Sequence, residues 1–132
     1  MIPKFRAWHK TWEELGKVKR IRFDDEGNIS TVFIQSETLG SNAYLKDIEL
    51  MQSTGLHDKN GKEIFEGDIV RQVRTQPTTE NETITGVVTM IEGAWLIMND
   101  NKQLASYLWS ETDENEVLGN IYENQGILED EK

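Results

Sequence analysis

Short segments in which apolar and polar residues alternate run along most of the chain and predict β-strands. The segment at residues 17–23 is typical, because Ile21 and Phe23 alternate with charged side chains. Turn-forming residues separate the segments, and the cluster at 24–28 combines a glycine with short polar side chains that favour a chain reversal. We predict strands at 4–9, 17–23, 29–35, 48–54, 69–74, 83–91, 94–98, 104–109 and 117–122.

Two stretches depart from this simple pattern. Residues 36–48 are the least regular, and Ser41 is suited to cap one or two helical turns that would follow it. In the second half, five short strands at turn-punctuated spacing predict a small closed or nearly closed barrel, with an SH3-like barrel as the first choice. Gly86 lies inside one of these strands, where a glycine is typical of a bulge or a barrel bend.

Composition excludes several classes of protein. A chain of 132 residues is long enough for one domain, or for one small domain with an arm. It contains no cysteine, which excludes disulfides, thiolate nucleophiles and cysteine-based zinc sites. No apolar run approaches the roughly 18 residues that a membrane span needs, and the N-terminus lacks the apolar region of a signal peptide. These features predict a cytoplasmic protein with no membrane partner.

Charge is distributed unevenly along the chain. The formal net charge is −10, yet residues 1–23 hold seven basic side chains against Glu13 and Glu14, a local net of +5. Residues 111–132 hold eight acidic side chains against Lys132, a local net of −7. Such asymmetry indicates charged partners, although a basic edge strand and an acidic tail in an ordinary globular domain would give the same pattern.

The candidate chemical sites are weak. Asp58, Asn60 and Glu63 are spaced like the start of a calcium loop, but Gly61 stands at the fourth position, whereas such a loop has its glycine at the sixth. The paired carboxylates are all expected in turns or in the tail, where solvation opposes the separated pKa values that carboxylate catalysis needs. The two histidines have no partner at metal-ligand spacing. We therefore predict no catalytic residue, no cofactor site and no metal site.

The four tryptophans fall into two pairs. Trp95 and Trp109 lie in segments with strand patterning, which predicts that both belong to the core. Trp8 and Trp12 are interleaved with basic residues. Aromatic and basic side chains together can stack on bases and neutralise phosphates, or they can form a subunit interface.

Three blocks carry a family resemblance. KFRAW occupies residues 4–8, LMQSTGL and DKNGKEIFEGDIV together span 50–70, and EVLGNIYEN occupies 116–124. In order and spacing they resemble the YopX family of small phage and prophage proteins over almost the whole chain. The resemblance implies a phage or prophage product without enzymatic activity or known catalytic residues. It also implies an N-terminal α+β part that mediates self-association, followed by an SH3-like β-barrel.

Together, the pattern and the resemblance predict a mostly β protein that is α+β overall. The expected parts are an N-terminal α+β part at 1–54, an SH3-like barrel at 55–128 and a disordered acidic tail at 129–132. The expected function is that of an accessory protein in a bacterial host cell that associates with itself and binds an unknown phage or host protein. The expected subunit interface includes Phe5, Trp8 and Trp12.

The alternative function is nucleic-acid binding through the basic N-terminal segment. The residues that would contact phosphates share a positive charge and a position near the N-terminus: Arg6, Lys10, Lys17, Lys19, Arg20 and Arg22. Phosphate neutralisation supplies most non-specific affinity, so the net charge of −10 opposes this alternative.

Overall fold

The chain is built almost entirely from β-strands. A computed structural model describes residues 4–74, 82–100, 103–110, 113–124 and 126–130. The strands of this described part are β1 (Phe5–His9), β2 (Glu14–Phe23), β3 (Ile29–Gln35), β4 (Gly40–Tyr44), β5 (Ile48–His57), β6 (Glu63–Phe65), β7 (Asp68–Arg74), β8 (Glu82–Ile91), β9 (Ala94–Asn99), β10 (Leu104–Tyr107) and β11 (Asp113–Asn120). A 3-10 turn at Leu45–Asp47 precedes β5, and the short helix α1 covers Gly126–Asp130.

The strands form two antiparallel sheets. Their orders are β4-β3-β2-β1-β5-β6 in the first sheet and β10-β9-β8-β7-β11 in the second. The chain divides into two compact units, Met1–Ser53 and Thr54–Lys132, and strand β5 crosses the division. Within the described residues, no helix is long and apolar enough to cross a membrane.

The first unit buries one face of its sheet. Its core contains only apolar side chains from the strands and from the start of β5: Ala7, Val32, Ile34, Ala43 and Ile48. Cross-strand pairing explains the set, because residues that face each other across a sheet share a side. Val32, for example, lies opposite both Ile21 and Ala43.

A β-bulge in β2 explains how two apolar residues with odd spacing both reach the core side of the sheet. The pairing with β3 passes from Val18–Ile34 directly to Arg20–Phe33, which leaves Lys19 as the extra residue. Val18 and Ile21 are three positions apart and would lie on opposite sides of a regular strand. Because the bulge inserts one residue, both apolar side chains reach the core side.

The second unit has its own core, made by strands β6 to β9 and the residue after β10: Ile64, Val70, Ile84, Val88, Ile97 and Leu108. A tight turn before β7 fixes the start of this sheet. Gly67 adopts φ +86°, which L side chains rarely tolerate, and its N–H donates to the Val88 carbonyl at 2.9 Å. The adjacent Asp68 side chain is 1% exposed and accepts the Phe65 N–H at 2.8 Å.

The predicted fold class is wrong in two respects. The described residues of the first unit contain one 3-10 turn and no α-helix, so there is no N-terminal α part. The helical turns predicted after Ser41 are wrong for residues 42–44, which belong to strand β4 because pairing with β3 places Ala43 in the core. In that stretch only the 3-10 turn at Leu45–Asp47 is helical. The second sheet is open, since no backbone pairing joins β10 to β11 within the described part of the chain, and the SH3-like closed barrel is not found.

The domain and tail predictions stay predictions. The compact units meet at Ser53 and Thr54. Helix α1 includes the backbone of residues 129 and 130, while residues 131 and 132 of the predicted tail lie outside the described part.

Candidate functional site

The second unit carries two adjoining depressions that share Leu56 and Trp109 in their walls. The first, the aromatic groove, has a volume of about 350 Å³ and is completed by Ala94, Trp95 and Tyr107. The second, the acidic pocket, has a volume of about 420 Å³. Its remaining lining is mostly polar and comes from the end of β5 and from around the start of β11: His57, Asp58, Lys59, Leu108, Ser110, Asp113, Glu114 and Asn115.

Strand alternation places the aromatic side chains on the surface. Leu108 is fully buried, and its N–H donates to the Trp95 carbonyl at 3.0 Å. Because successive residues of an extended chain face opposite sides, the neighbours of Leu108 point outward. Tyr107 is therefore 69% exposed and Trp109 is 62% exposed. Trp95 packs partly against the core and also lines the groove.

The prediction that Trp109 belongs to the core is therefore wrong, whereas Trp95 is half-buried against the core. Both tryptophans have strand patterning in the sequence, so burial of each was the simplest interpretation. The spacing also argued against burial of Trp109. Tyr107 and Trp109 flank Leu108 in the sequence, so a strand that points Leu108 into the core points both neighbours outward.

A buried polar network fixes the backbone beneath the groove. The Gln72 side chain is fully buried, and its Nε2 donates to the Tyr107 carbonyl and to Asn115 Oδ1, both at 3.0 Å. The Ser106 hydroxyl donates to Gln72 Oε1 at 2.7 Å, and Asn115 Nδ2 donates to the Leu108 carbonyl at 2.8 Å. These bonds link β10 to β7 and β11 through side chains. Buried polar groups that are fully bonded hold a surface rigid, so these bonds fix the shape of the groove.

Asp58 anchors the other wall of the pocket. Its Oδ1 accepts the backbone N–H groups of Asn60 and Lys62, each at 2.9 Å, and closes the turn between β5 and β6. Its Oδ2 accepts the N–H of Val117 in β11 at 2.9 Å. One side chain thus holds both its own turn and a strand that follows 59 residues later.

The same contacts set the ionisation of Asp58. Burial by itself opposes the charged form, but the N–H groups of Val117, Lys62 and Asn60 together with the charge of Lys62 outweigh it and lower the pKa of Asp58. The carboxyl group is thus ionised near neutral pH, and both its oxygens accept backbone hydrogen bonds. That arrangement suits a structural anchor, because a general acid must hold a proton near the working pH.

The aromatic residues of the predicted interface lie on different sides of the first sheet. Phe5 and Trp8 are both half-buried, and their odd spacing in β1 places them on opposite faces. Trp12 packs against the first core and stacks on His9, with ring centroids 4.0 Å apart and an interplanar angle of 9°. The backbone N–H of Trp12 donates to His9 Nδ1 at 3.2 Å. The three residues do not form one patch, and their role in an interface stays a prediction.

Most of the predicted basic residues share one face of the first sheet. Arg6 lies opposite Lys17, and the β2–β3 register places Arg20 and Arg22 on that same face. Lys19 is the extra residue of the bulge. Lys10 lies just after β1 and pairs with Glu49 at 3.5 Å. Their contact with nucleic acid stays a prediction.

Comparison with known proteins gives the family. A family model described as YopX protein matches residues 4–129. The chain belongs to the YopX family. This confirms the resemblance that the three sequence blocks indicate. A search of curated proteins found no match.

Two solved structures resemble this YopX-family chain. The crystal structure of protein EF1440 from Enterococcus faecalis is 27% identical, covers 97% of this chain and 99% of its own, and gives a TM-score of 0.60. The crystal structure of protein yopX from Bacillus subtilis is 16% identical, covers 92% of this chain and 94% of its own, and gives a TM-score of 0.62. The second similarity concerns the fold alone.

Proposed function

We propose that this YopX-family chain is a non-enzymatic protein-interaction module, and that the aromatic groove with the acidic pocket binds a segment of a partner polypeptide. The segment carries a basic side chain next to an apolar one. The observation that supports this proposal is the exposure of Tyr107 and Trp109, at 69% and 62%, around an apolar depression that continues into a pocket containing carboxylates.

Exposed aromatic residues in a rigid concave surface favour protein binding. Tryptophan and tyrosine are enriched where proteins bind each other, because each buries a large area with few rotatable bonds. The groove holds Trp95, Tyr107 and Trp109 around Leu56, which is the composition of an anchor site for an apolar side chain.

Charge selects the basic part of the partner. Residues 54–132 hold 16 acidic and six basic side chains, which gives this unit a net charge of −10. Asp113 and Glu114 place part of that charge at the acidic pocket, beside Trp109. A negative field of this kind speeds the encounter with a positive partner and disfavours acidic ones.

The role of Asp58 supports a binding surface over an active centre. It is the buried carboxylate of the pocket, and the hydrogen bonds to Asn60, Lys62 and Val117 occupy it. A carboxylate held by three donors with a lowered pKa is a poor proton carrier near neutral pH.

The biological part of the proposal follows from the family. The proposed biological role is that of a phage or prophage accessory protein. Such a protein acts in the cytoplasm of a bacterial host, associates with itself and binds a phage or host protein. The residues assigned to self-association are Phe5, Trp8 and Trp12.

A peptide library tests the proposed groove. One set of short labelled peptides places Arg or Lys beside Leu, Val or Pro, and a second set carries Glu in place of the basic residue. Fluorescence anisotropy should detect binding by the first set only. Trp109→Ala should weaken it by about thirty-fold, since truncating a central aromatic anchor costs on the order of 2 kcal/mol.

The chain offers matched controls for this test. Tyr44 in the first unit is 61% exposed, so Tyr44→Ala removes an aromatic side chain of nearly equal exposure and should leave peptide binding unchanged. Glu114→Gln should weaken binding by a few-fold, whereas the same change at the exposed Glu37 should not. Equal losses from Trp109→Ala and Tyr44→Ala would contradict the assignment of the site, as would equal binding of the basic and acidic peptides.

A further inference from the structure

The first unit carries a surface of a different kind on the face of its sheet opposite the core. Strand register brings together three exposed basic residues of β2, Lys17, Arg20 and Arg22, although they are unevenly spaced in sequence. The bulge at Lys19 is responsible, because without it Lys17 would point away from the other two.

Aromatic rings lie among these basic groups. Phe33 is directly opposite Arg20, and the guanidinium carbon lies 5.0 Å from the ring centroid. Thr31 is opposite both Arg22 and Tyr44, so the Tyr44 ring belongs to the same face. Tyr44 is 61% exposed, and Lys46 Nζ lies 5.9 Å from its ring centroid. We call the exposed set of Lys17, Arg20, Arg22 and Lys46 with the rings of Phe33 and Tyr44 the cationic face.

The acidic residues of the first unit lie mostly outside its strands. Residues 1–53 hold eight basic and eight acidic side chains, so the unit is neutral, unlike the second unit. Six of the acidic side chains are in turns and loops, at 13, 24–26, 37 and 47. Of the two on strands, Glu14 accepts the hydroxyls of Ser36 and Thr38. Glu49 lies opposite Trp8 and so on the same face as Arg6, where it pairs with Lys10 at 3.5 Å.

We propose that the cationic face binds single-stranded nucleic acid, with a base stacked on the exposed ring of Tyr44 and phosphates held by Lys17, Arg20, Arg22 and Lys46, while Phe33 supports the Arg20 guanidinium. Interleaved rings and cations on an open sheet supply the two interactions that such binding requires. Side chains two residues apart on a strand are about 6.8 Å apart, so the rings and charges follow one another along an extended chain. A duplex hides the faces of its bases and would use the charges alone.

The binding test measures anisotropy of a labelled oligothymidylate of about 12 nucleotides, a length within the site sizes of sheet-based single-strand binders. We expect micromolar affinity at low salt. Four phosphate contacts give a slope of about −3 in log affinity against log salt, so affinity should fall roughly fifty-fold between about 50 and 200 mM salt. The duplex of the same length should bind more weakly.

Variants separate stacking from charge. Tyr44→Ala should weaken binding by at least about five-fold without changing the salt slope, because it removes a ring and no charge. Arg22→Gln should weaken binding and reduce the slope by about 0.7. The matched controls are Trp109→Ala and Lys62→Gln in the second unit, and neither should change binding. Circular dichroism spectra should show that each variant keeps the wild-type fold.

Several results would overturn the proposal. These are the absence of binding at low salt, a duplex that binds as well as the single strand, and an unchanged affinity in Tyr44→Ala. Competition by polyglutamate as effective as that by unlabelled oligonucleotide would also overturn it, because the face would then recognise negative charge alone. Tyr44→Ala tests the cationic face and is the control for the aromatic groove, and Trp109→Ala does the reverse. A negative result for one surface is therefore distinguishable from a negative result for the other.

Discussion

Replacement of Asp58 by asparagine tests how the wall of the acidic pocket is held. Asp58 is 8% exposed and accepts three backbone N–H groups, each at 2.9 Å. Asparagine can keep one oxygen toward Asn60 and Lys62, but its amide group then faces the N–H of Val117, and two donors oppose each other. The variant has the same size and shape, so the change concerns hydrogen bonding and charge alone.

The magnitude follows from those three bonds. Hydrogen bonds to a charged acceptor contribute about 1.5–3 kcal/mol each, and a buried donor left without an acceptor costs about 1–3 kcal/mol. Loss of the Val117 bond and weakening of the other two should lower the free energy of unfolding of Asp58→Asn by about 3 kcal/mol at pH 7. Urea denaturation followed by circular dichroism measures this difference.

The pH dependence gives an independent check. Because the folded-state pKa of Asp58 is lowered, its ionised form stabilises the fold above the ordinary aspartate pKa of about 3.9, and this stabilisation is lost as the pH falls through the folded value. The difference between wild type and Asp58→Asn should therefore be constant from pH 7 to about pH 5 and shrink at lower pH.

Asp25→Asn is the matched control, because Asp25 is exposed at a hairpin tip and should change stability by less than about 0.5 kcal/mol. A loss below about 1 kcal/mol in Asp58→Asn at pH 7 would refute the reasoning. A difference of constant size from pH 7 to pH 3 would also refute it.

Three further predictions concern packing, assembly and the C-terminus. Gly86→Ala should lower the free energy of unfolding by about 2 kcal/mol or more, because a Cβ there would lie 2.5 Å from the Met98 carbonyl oxygen. Gly67→Val should lower it by as much, because Gly67 has a φ of +86°. Chemical denaturation measures both, and losses below about 0.5 kcal/mol would show that these glycines are dispensable. Light scattering at tens of micromolar should show a species larger than the 15.2 kDa monomer, and a clean monomer would contradict self-association. Deletion of residues 129–132 should leave the melting temperature unchanged, whereas a drop of more than a few degrees would show that the tail packs on the fold.

The strands were largely predictable from alternation and turn residues, and two glycines show how far local sequence reaches. Gly119 lies inside the last predicted strand, where a glycine is typical of a bulge, and the pairing of β11 with β7 shifts register between Val117 and Gly119. Gly86 suggested a bulge or a barrel bend, but it allows the backbone of Met98 to pass close by. Local sequence indicates that a small residue is needed, but it does not show which part of the chain approaches the glycine.

Features that depend on distant pairing were not predictable from local pattern. The segment that ends in Tyr44 carries a helix-capping signal, and only its pairing with β3 makes it a strand. An open sheet and a closed barrel use strands of the same length and period, so the pattern could not decide whether β10 and β11 join.

The candidate site was hidden for the same reason. Its walls come from residues near 56, 95, 108 and 114, which no sequence motif connects. The aromatic residues that sequence analysis favoured lie in the first unit, where Trp12 is occupied by its stack on His9. The basic residues were found because they are clustered in sequence, yet the bulge that aligns three of them on one face is visible only in the pairing of β2 with β3.

The most direct test of the proposed function uses the four tryptophans as reporters. Two-dimensional ¹H–¹⁵N NMR resolves one indole N–H signal for each, and mutation of each tryptophan to phenylalanine assigns the signals. Titration with the tightest-binding basic peptide from the library should shift the signals of Trp95 and Trp109 and leave those of Trp8 and Trp12 in place. A library without a binder, or shifts confined to Trp8 and Trp12, would contradict the assignment of the aromatic groove as the interaction site.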